Sequence, residues 1–301
     1  MIAMFVNLFI LLLLSSTQGL RISEQKCSEY EAATLTTTMS TLLPISSPKP
    51  ISLHNCNQVK SLILTPKTSP HEFPHHALIG WPSEHTDAKY VFECSGALIS
   101  DLFVLTAAHC GIRTIPTVVR LGEHDLNDEL DNHRDIEIER FVKHPDFNAR
   151  HVYNDIALIK LKDQVLFSNV IRPACLWTKE NFNFTSAIAT GFETEYGDQS
   201  PYSLQKVDMN FISNDICEQF FKGLRRFPMG LHETQICMTP VNNGKDNCQG
   251  NSGGPVQVAQ GCMYHVVAFT SMGFTCGAWN APAVFSKVSS YIDWIEETVW
   301  V

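Results

Sequence analysis

The chain has 301 residues, long enough for one large domain or two small ones. With 44% apolar and 18% charged residues it can bury a core, so a disordered chain is excluded. Asp and Glu number 31 against 22 Lys and Arg, a formal charge of -9. Nucleic-acid binding proteins present a basic footprint, so no nucleic-acid partner is expected.

In chain order, the first element is a targeting segment. Ile2 to Leu14 is the one stretch apolar enough for a bilayer, and it is too short to span comfortably. Met1 to Gly19 has no Asp, Glu, Lys or Arg, an apolar centre at Phe9 to Leu14, and the small or polar end Ser15-Ser16-Thr17-Gln18-Gly19. Residues 1–19 therefore read as a secretion signal cut after Gly19, with an N-terminal anchor as the weaker alternative. The expected location is extracellular, with no membrane partner. Residues 20–61 follow as a pro-segment or linker. Thr34 to Thr41 is almost all Thr, Ser, Leu and Met, and Pro44 to Pro50 is rich in Pro and Ser, which favours an extended, solvated chain.

Beyond it, short apolar runs alternate with turn residues: Ala97-Leu98-Ile99, Phe103-Val104-Leu105, Val118 to Leu121, Ile156 to Leu161, Val266 to Phe269 and Ala283-Val284-Phe285. Runs of this length and composition read as strands of an all-β sandwich or barrel. Ile292, Ile295, Glu296 and Val299 fall at helical spacing after Ser289-Ser290, so the chain is expected to close with one helix. No internal repeat is visible.

There are ten cysteines, an even number that suits a disulfide framework in an oxidising compartment. No C-x-x-C cluster is present, and neither a metal nor a cofactor is called for. Asn183-Phe184-Thr185 is a glycosylation sequon, placing a glycan candidate at Asn183.

The sharpest local signal is Gly250-Asn251-Ser252-Gly253-Gly254-Pro255. A serine between glycines on a tight turn exposes its hydroxyl and can aim backbone N–H groups, here those of Gly250 and Ser252, at a developing oxyanion. The string also fits the G-x-S-x-G elbow of α/β-hydrolases, but that fold needs its acid and histidine after the serine, and only His265 follows. The reverse order is available: Thr106-Ala107-Ala108-His109-Cys110 ends a strand and Asn154-Asp155-Ile156-Ala157-Leu158 opens another. The remaining histidines before Ser252 read as ordinary surface residues.

These three strings resemble the S1, chymotrypsin-like serine proteases, a family of two packed six-stranded antiparallel β-barrels. The resemblance covers about 62–301 and extends to Glu72-Phe73-Pro74-His75, Arg120 to His124 and Ile171 to Cys175. It implies Ser252 as nucleophile, His109 as general base and later acid, and Asp155 as the carboxylate that orients the imidazole. It implies Asp246 at the floor of a trypsin-like pocket selecting Lys or Arg, with Ser271 and Gly273 at its entrance. Ala283 stands where the family usually has glycine, so an extra methyl narrows that wall. Asp125 to Asp135 is only loosely like the family's calcium loop and reads as a solvated acidic face.

The same resemblance implies disulfides Cys94–Cys110, Cys217–Cys237 and Cys248–Cys276, and Cys56–Cys175 holding the pro-segment to the body. Cys27 and Cys262 are left over, and subtraction pairs them with each other. Lys26-Cys27-Ser28-Glu29-Tyr30 is similar to the segment before the protease domain of arthropod clip-domain proteases, without the six-cysteine clip module.

Two departures concern activation. In the family, zymogen cleavage exposes an Ile-Val-Gly-Gly end whose ammonium pairs with the Asp preceding the nucleophile. Here that residue is Asn251, and the corresponding stretch is Ser61-Leu62-Ile63-Leu64-Thr65, with cuts available after Lys60 or at Leu62-Ile63. A buried ammonium facing a neutral amide is left largely uncompensated. Two functions therefore stand side by side. One is a secreted trypsin-like serine endopeptidase acting on protein substrates, with an upstream activating protease and a protein inhibitor as possible partners in an extracellular cascade. The other is a catalytically weak or inactive homologue acting as a binding or cofactor protein.

Overall fold

The computed structural model describes residues 19–42, 68–83, 88–128, 132–192, 203–241, 252–273 and 282–301. The expected signal therefore lies almost wholly outside the described residues. So do Cys56, the candidate cut sites near 60–63, Asp246, Cys248, Gly250, Asn251 and Cys276. Among the described residues no helix is long and apolar enough to cross a membrane.

Six strands close the first barrel: β1 (His76–Pro82), β2 (Tyr90–Leu98), β3 (Phe103–Thr106), β4 (Val118–Leu121), β5 (Arg134–Lys143) and β6 (Ala157–Leu161). Their order is β1-β2-β3-β6-β5-β4, with β4 pairing back onto β1 and every pair antiparallel. Closure removes the free edges that an open sheet would present. The interior is filled by Ile79, Leu98, Val104, Val119, Leu121 and Ile159, all essentially without exposure. Burying each such side chain contributes about 1.5–3 kcal/mol.

A second barrel is built from β8 (Ser186–Phe192), β9 (Leu204–Ile212), β10 (Gln235–Pro240), β13 (Ala283–Lys287), β12 (Met263–Met272) and β11 (Pro255–Gln260), the last pairing back to β8. The two-residue β7 (Cys175–Leu176) lies parallel to β12, with Cys175 opposite His265. Helix α2 (Asn214–Phe221) starts under the Ser213 hydroxyl, which accepts from the Ile216 N–H, and Cys217–Cys237 ties it to β10. Helix α3 (Ile292–Val299) closes the chain, as its apolar spacing predicts. One core cluster spans the seam: Leu105 and Leu158 of the first barrel meet Val266 and Phe269 of the second and Ile292 and Ile295 of α3. The all-β reading, the two barrels and the terminal helix are what the structure has.

Three expectations change. Ile22–Leu42 is a helix, α1, where the composition suggested an extended chain over Thr34 to Thr41. Its apolar residues form no stripe, so packing patterns could not reveal it. Polar links and a disulfide dock it instead. The Glu24 carboxylate reaches back to the Arg21 N–H and accepts from the Thr178 hydroxyl. Glu296 of α3 accepts from Ser23, and Arg21 pairs with Asp293.

The second correction is covalent. Cys175 is bonded to Cys27 and not to Cys56. Cys27 is therefore not the mate of Cys262, which is itself disulfide-bonded to a residue outside the described ones. The third concerns histidines. His75 and His76 are 1% and 4% exposed, not on the surface. His76 Nδ1 meets the Thr190 hydroxyl at 3.1 Å and His75 Nε2 meets Gln257 Oε1 at 3.4 Å, while Gln257 donates to Thr190, so one polar chain links the two barrels through the seam.

Candidate active site

Strand β3 ends at Thr106, and the chain turns through a short 3-10 segment, Ala108–Gly111, that carries His109. The Cys94–Cys110 disulfide clamps this turn to β2. Asp155 sits just before β6, which pairs with β3, so barrel closure itself brings the two together. His109 Nδ1 lies 2.7 Å from Asp155 Oδ2, and the His109 backbone N–H donates to Oδ1 at 2.8 Å. A carboxylate only accepts, so Nδ1 carries the proton and Nε2 is left to accept one.

Asp155 is 1% exposed, so its charge needs donors. The third comes from the second barrel: the Ser271 hydroxyl donates to Oδ2 at 2.6 Å. Ser286 in turn donates to the Asp155 carbonyl at 2.7 Å. A hydrogen bond to a charged group is worth about 1.5–3 kcal/mol, so this set fixes both the carboxylate and the ring it holds. Ser271, expected at a pocket entrance, is buried and serves as an orienting donor. Its partner lies 116 residues away, so no local string announces the contact.

Ser252 is delivered to the same place by its backbone. The Ser95 N–H donates to the Ser252 carbonyl at 2.9 Å, and Cys94 and Ser252 form a β-bridge. Ser252 is thus pinned to the middle of β2, where the Cys94–Cys110 disulfide also fastens the His109 turn. Gly253 has φ +73, and a Cβ there would meet the Ser95 carbonyl oxygen at 2.8 Å and the Ala107 nitrogen at 3.1 Å. Only glycine takes this turn at such close approach. Gly253 N–H donates to the Thr270 carbonyl and Thr270 N–H to the Gly254 carbonyl, which ties the serine turn to β12 one residue before Ser271. The Ser252 side chain is exposed, and among the described residues no hydrogen bond joins its hydroxyl to the imidazole. Catalytic contacts are often long before substrate arrives.

A family model described as Trypsin matches residues 63–295. The chain belongs to the trypsin family. It is similar to Serine protease snk of Drosophila melanogaster, 37% identical over 286 residues, which cover 92% of this chain and 65% of that protein. It is similar to CLIP domain-containing serine protease B4 of Anopheles gambiae, 30% identical over 93% of this chain and 82% of that protein. Among solved structures, mouse neuropsin, a serine protease, superposes with a TM-score of 0.63 at 28% identity, covering 77% of this chain and 97% of that one.

In this trypsin-family chain the other predicted residues are distributed as follows. Ala283 is 4% exposed at the start of β13, opposite Met238. Gly273 follows the end of β12 and is half-buried. Asn183 is exposed in the loop before β8. At the end of the acidic loop Asp135 is paired with Arg120, which also engages Glu123, while Asp125 accepts from the Asn127 N–H. One further string has the form of a zinc motif, His71-Glu72-Phe73-Pro74-His75. That motif needs a helix to put both imidazoles on one face. Here His71 has φ +63 in a turn, His75 is buried against Gln257, and Glu72 is ion-paired with Lys206 at 2.7 Å, so the three do not converge.

Proposed function

We propose that the protein is a secreted serine endopeptidase that hydrolyses peptide bonds through an acyl-enzyme on Ser252. The observation that carries this is the buried Asp155 carboxylate holding His109 in the right tautomer on a turn clamped to β2, the strand to which Ser252 is tied. The Ser252 oxygen attacks the scissile carbonyl carbon while its proton passes to His109 Nε2. The N–H groups of Gly250 and Ser252 receive the oxyanion, worth about 2.7–4 kcal/mol per donor. Collapse expels the amine with the proton from His109, and water then repeats the sequence to release the acid.

Asp246 at the pocket floor makes Lys or Arg the preferred residue at the cut, and the Ala283 methyl narrows the wall. Residues 1–19 are the signal, 20–61 the pro-segment and 62–301 the protease domain. Its substrates are proteins of an extracellular cascade, in which an upstream protease activates it and a protein inhibitor stops it. An organophosphonate that labels trypsin should label Ser252 of the processed protein. An unmodified Ser252 under those conditions would overturn the proposal.

A second reading, a protease-like binding protein, is favoured by Asn251, a neutral amide where the activating ion pair needs a carboxylate, and by the Leu62-Ile63-Leu64-Thr65 stretch, which lacks both glycines of the usual new end. Hydrolysis by the parent beside Asn251→Asp separates the two. Strong activity in the parent removes the second reading, and activity only in the variant supports it.

A further inference from the structure

We propose that Arg172 is the centre of a binding site for a small oxyanion, a carboxylate or phosphate, at the joint between α1 and the barrels. A cavity lies there, walled by Tyr30 and Ala33 of α1 on one side and by Phe167, Asn169 and Arg172 on the other. The Arg172 side chain makes no hydrogen bond or ion pair among the described residues, and its Nε is buried without a partner. Burial pushes its pKa down, and among the described residues no carboxylate pairs with it.

Arg120 shows what this protein does with another partly buried guanidinium: Glu123 and Asp135 both clamp it. Arg172 has the same five-donor fork with no acceptor in it among the described residues, and its buried Nε–H is left unsatisfied until an acceptor arrives. Its charge is also felt by His75 in the seam, where it disfavours the imidazolium. A planar carboxylate or a phosphate matches the fork with two parallel hydrogen bonds. Burial holds the Tyr30 phenol up at about 12, so this wall stays neutral and does not repel an anion. Two acids act electrostatically on Tyr30: Asp101, which accepts from Gln164, and Glu29, which is paired with Lys26.

The site is composite, because Tyr30 and Ala33 come from the pro-segment and Cys27–Cys175 anchors α1 three residues from Arg172. A bound oxyanion therefore strengthens docking of α1, independently of any catalytic role.

The test is thermal unfolding of the full chain with sodium phosphate or sodium acetate, at ionic strength held constant with sodium chloride. A saturable rise of about 2–4 °C in the millimolar range is expected for the parent. Arg172→Gln should need at least about ten times more ligand for the same rise, the loss of one charge-assisted contact. Asn169→Asp, at an exposed position, should supply a built-in carboxylate. It should raise the midpoint without ligand and abolish the response, which decides the matter should Arg172→Gln fold poorly. Response to one probe only assigns phosphate or carboxylate. No saturable response in the parent, or equal responses in the parent and both variants, overturns the proposal.

Discussion

Protonating the seam should weaken the fold, and the size can be worked out residue by residue. Burial pushes His75 down to about 4 and His76 down to about 3, from 6.5. For His75 the Gln257 hydrogen bond opposes this and the Arg172 charge adds to it. For His76 the neighbouring His75 adds. Among the described residues His76 Nε2 has no acceptor, so a proton there would be buried without a partner. Both folded values lie below the unfolded one, so the unfolded chain binds more protons between pH 6.5 and about 3–4. Stability is then whole above pH 6.5 and falls as pH drops through that window. By pH 5 each imidazole should cost about 2 kcal/mol, since one pKa unit is about 1.4 kcal/mol.

His76→Phe removes one of the two groups while leaving Thr190 its hydrogen bond from Gln257 and an aromatic neighbour for Phe192. Urea unfolding of parent and variant at pH 7.5, 6, 5 and 4.5 measures the effect. Other acid-sensitive groups are common to both proteins and cancel in the difference. The stability gap should move in the variant's favour by about 2 kcal/mol between pH 7.5 and 5. A gap independent of pH would show that His76 titrates normally, and the buried seam would be wrong.

Four other outcomes follow from the same geometry. Ser271→Ala should lower kcat/KM about 10–100-fold with KM little changed, since it removes a charged-group hydrogen bond worth about 1.5–3 kcal/mol; an unchanged kcat would remove Ser271 from the orienting set. Gly253→Ala should cost about 1–3 kcal/mol in a denaturant melt from the left-handed backbone alone, with the clash against Ser95 added. Peptide mapping without reduction should recover Cys27–Cys175 and, if Cys248–Cys276 forms, Cys56–Cys262; a Cys56–Cys175 peptide would contradict the structure. Cys27→Ser opens a loop of 148 residues and should destabilise the uncut chain by about 4–5 kcal/mol in chemical denaturation.

Much of the site was legible because catalytic chemistry is written locally. The strings around His109, Asp155 and Ser252 each carry their own turn or strand end, and their order excluded the α/β-hydrolase alternative. The β runs were legible for a similar reason, since a strand's own residues set its two faces. Helix α1 was not. Its start is held by what Arg21, Ser23, Glu24 and Cys27 touch, namely Asp293, Glu296, Thr178 and Cys175, and no local pattern encodes those. The Cys27–Cys175 bond was missed for the same reason, because pairing by subtraction ignores where α1 docks.

Sequence alone determined the all-β class, the terminal helix and which serine, histidine and aspartate stand at strand ends, because short-range sterics and hydrophobic alternation decide these. Only the tertiary structure decided that Ser271 orients Asp155 and that His75 and His76 are buried in the seam. It alone left the Arg172 guanidinium without a partner among the described residues. Each of these depends on chain segments far apart in sequence meeting where water is excluded, and there a donor, a charge or a ring is worth what its distant neighbour makes it.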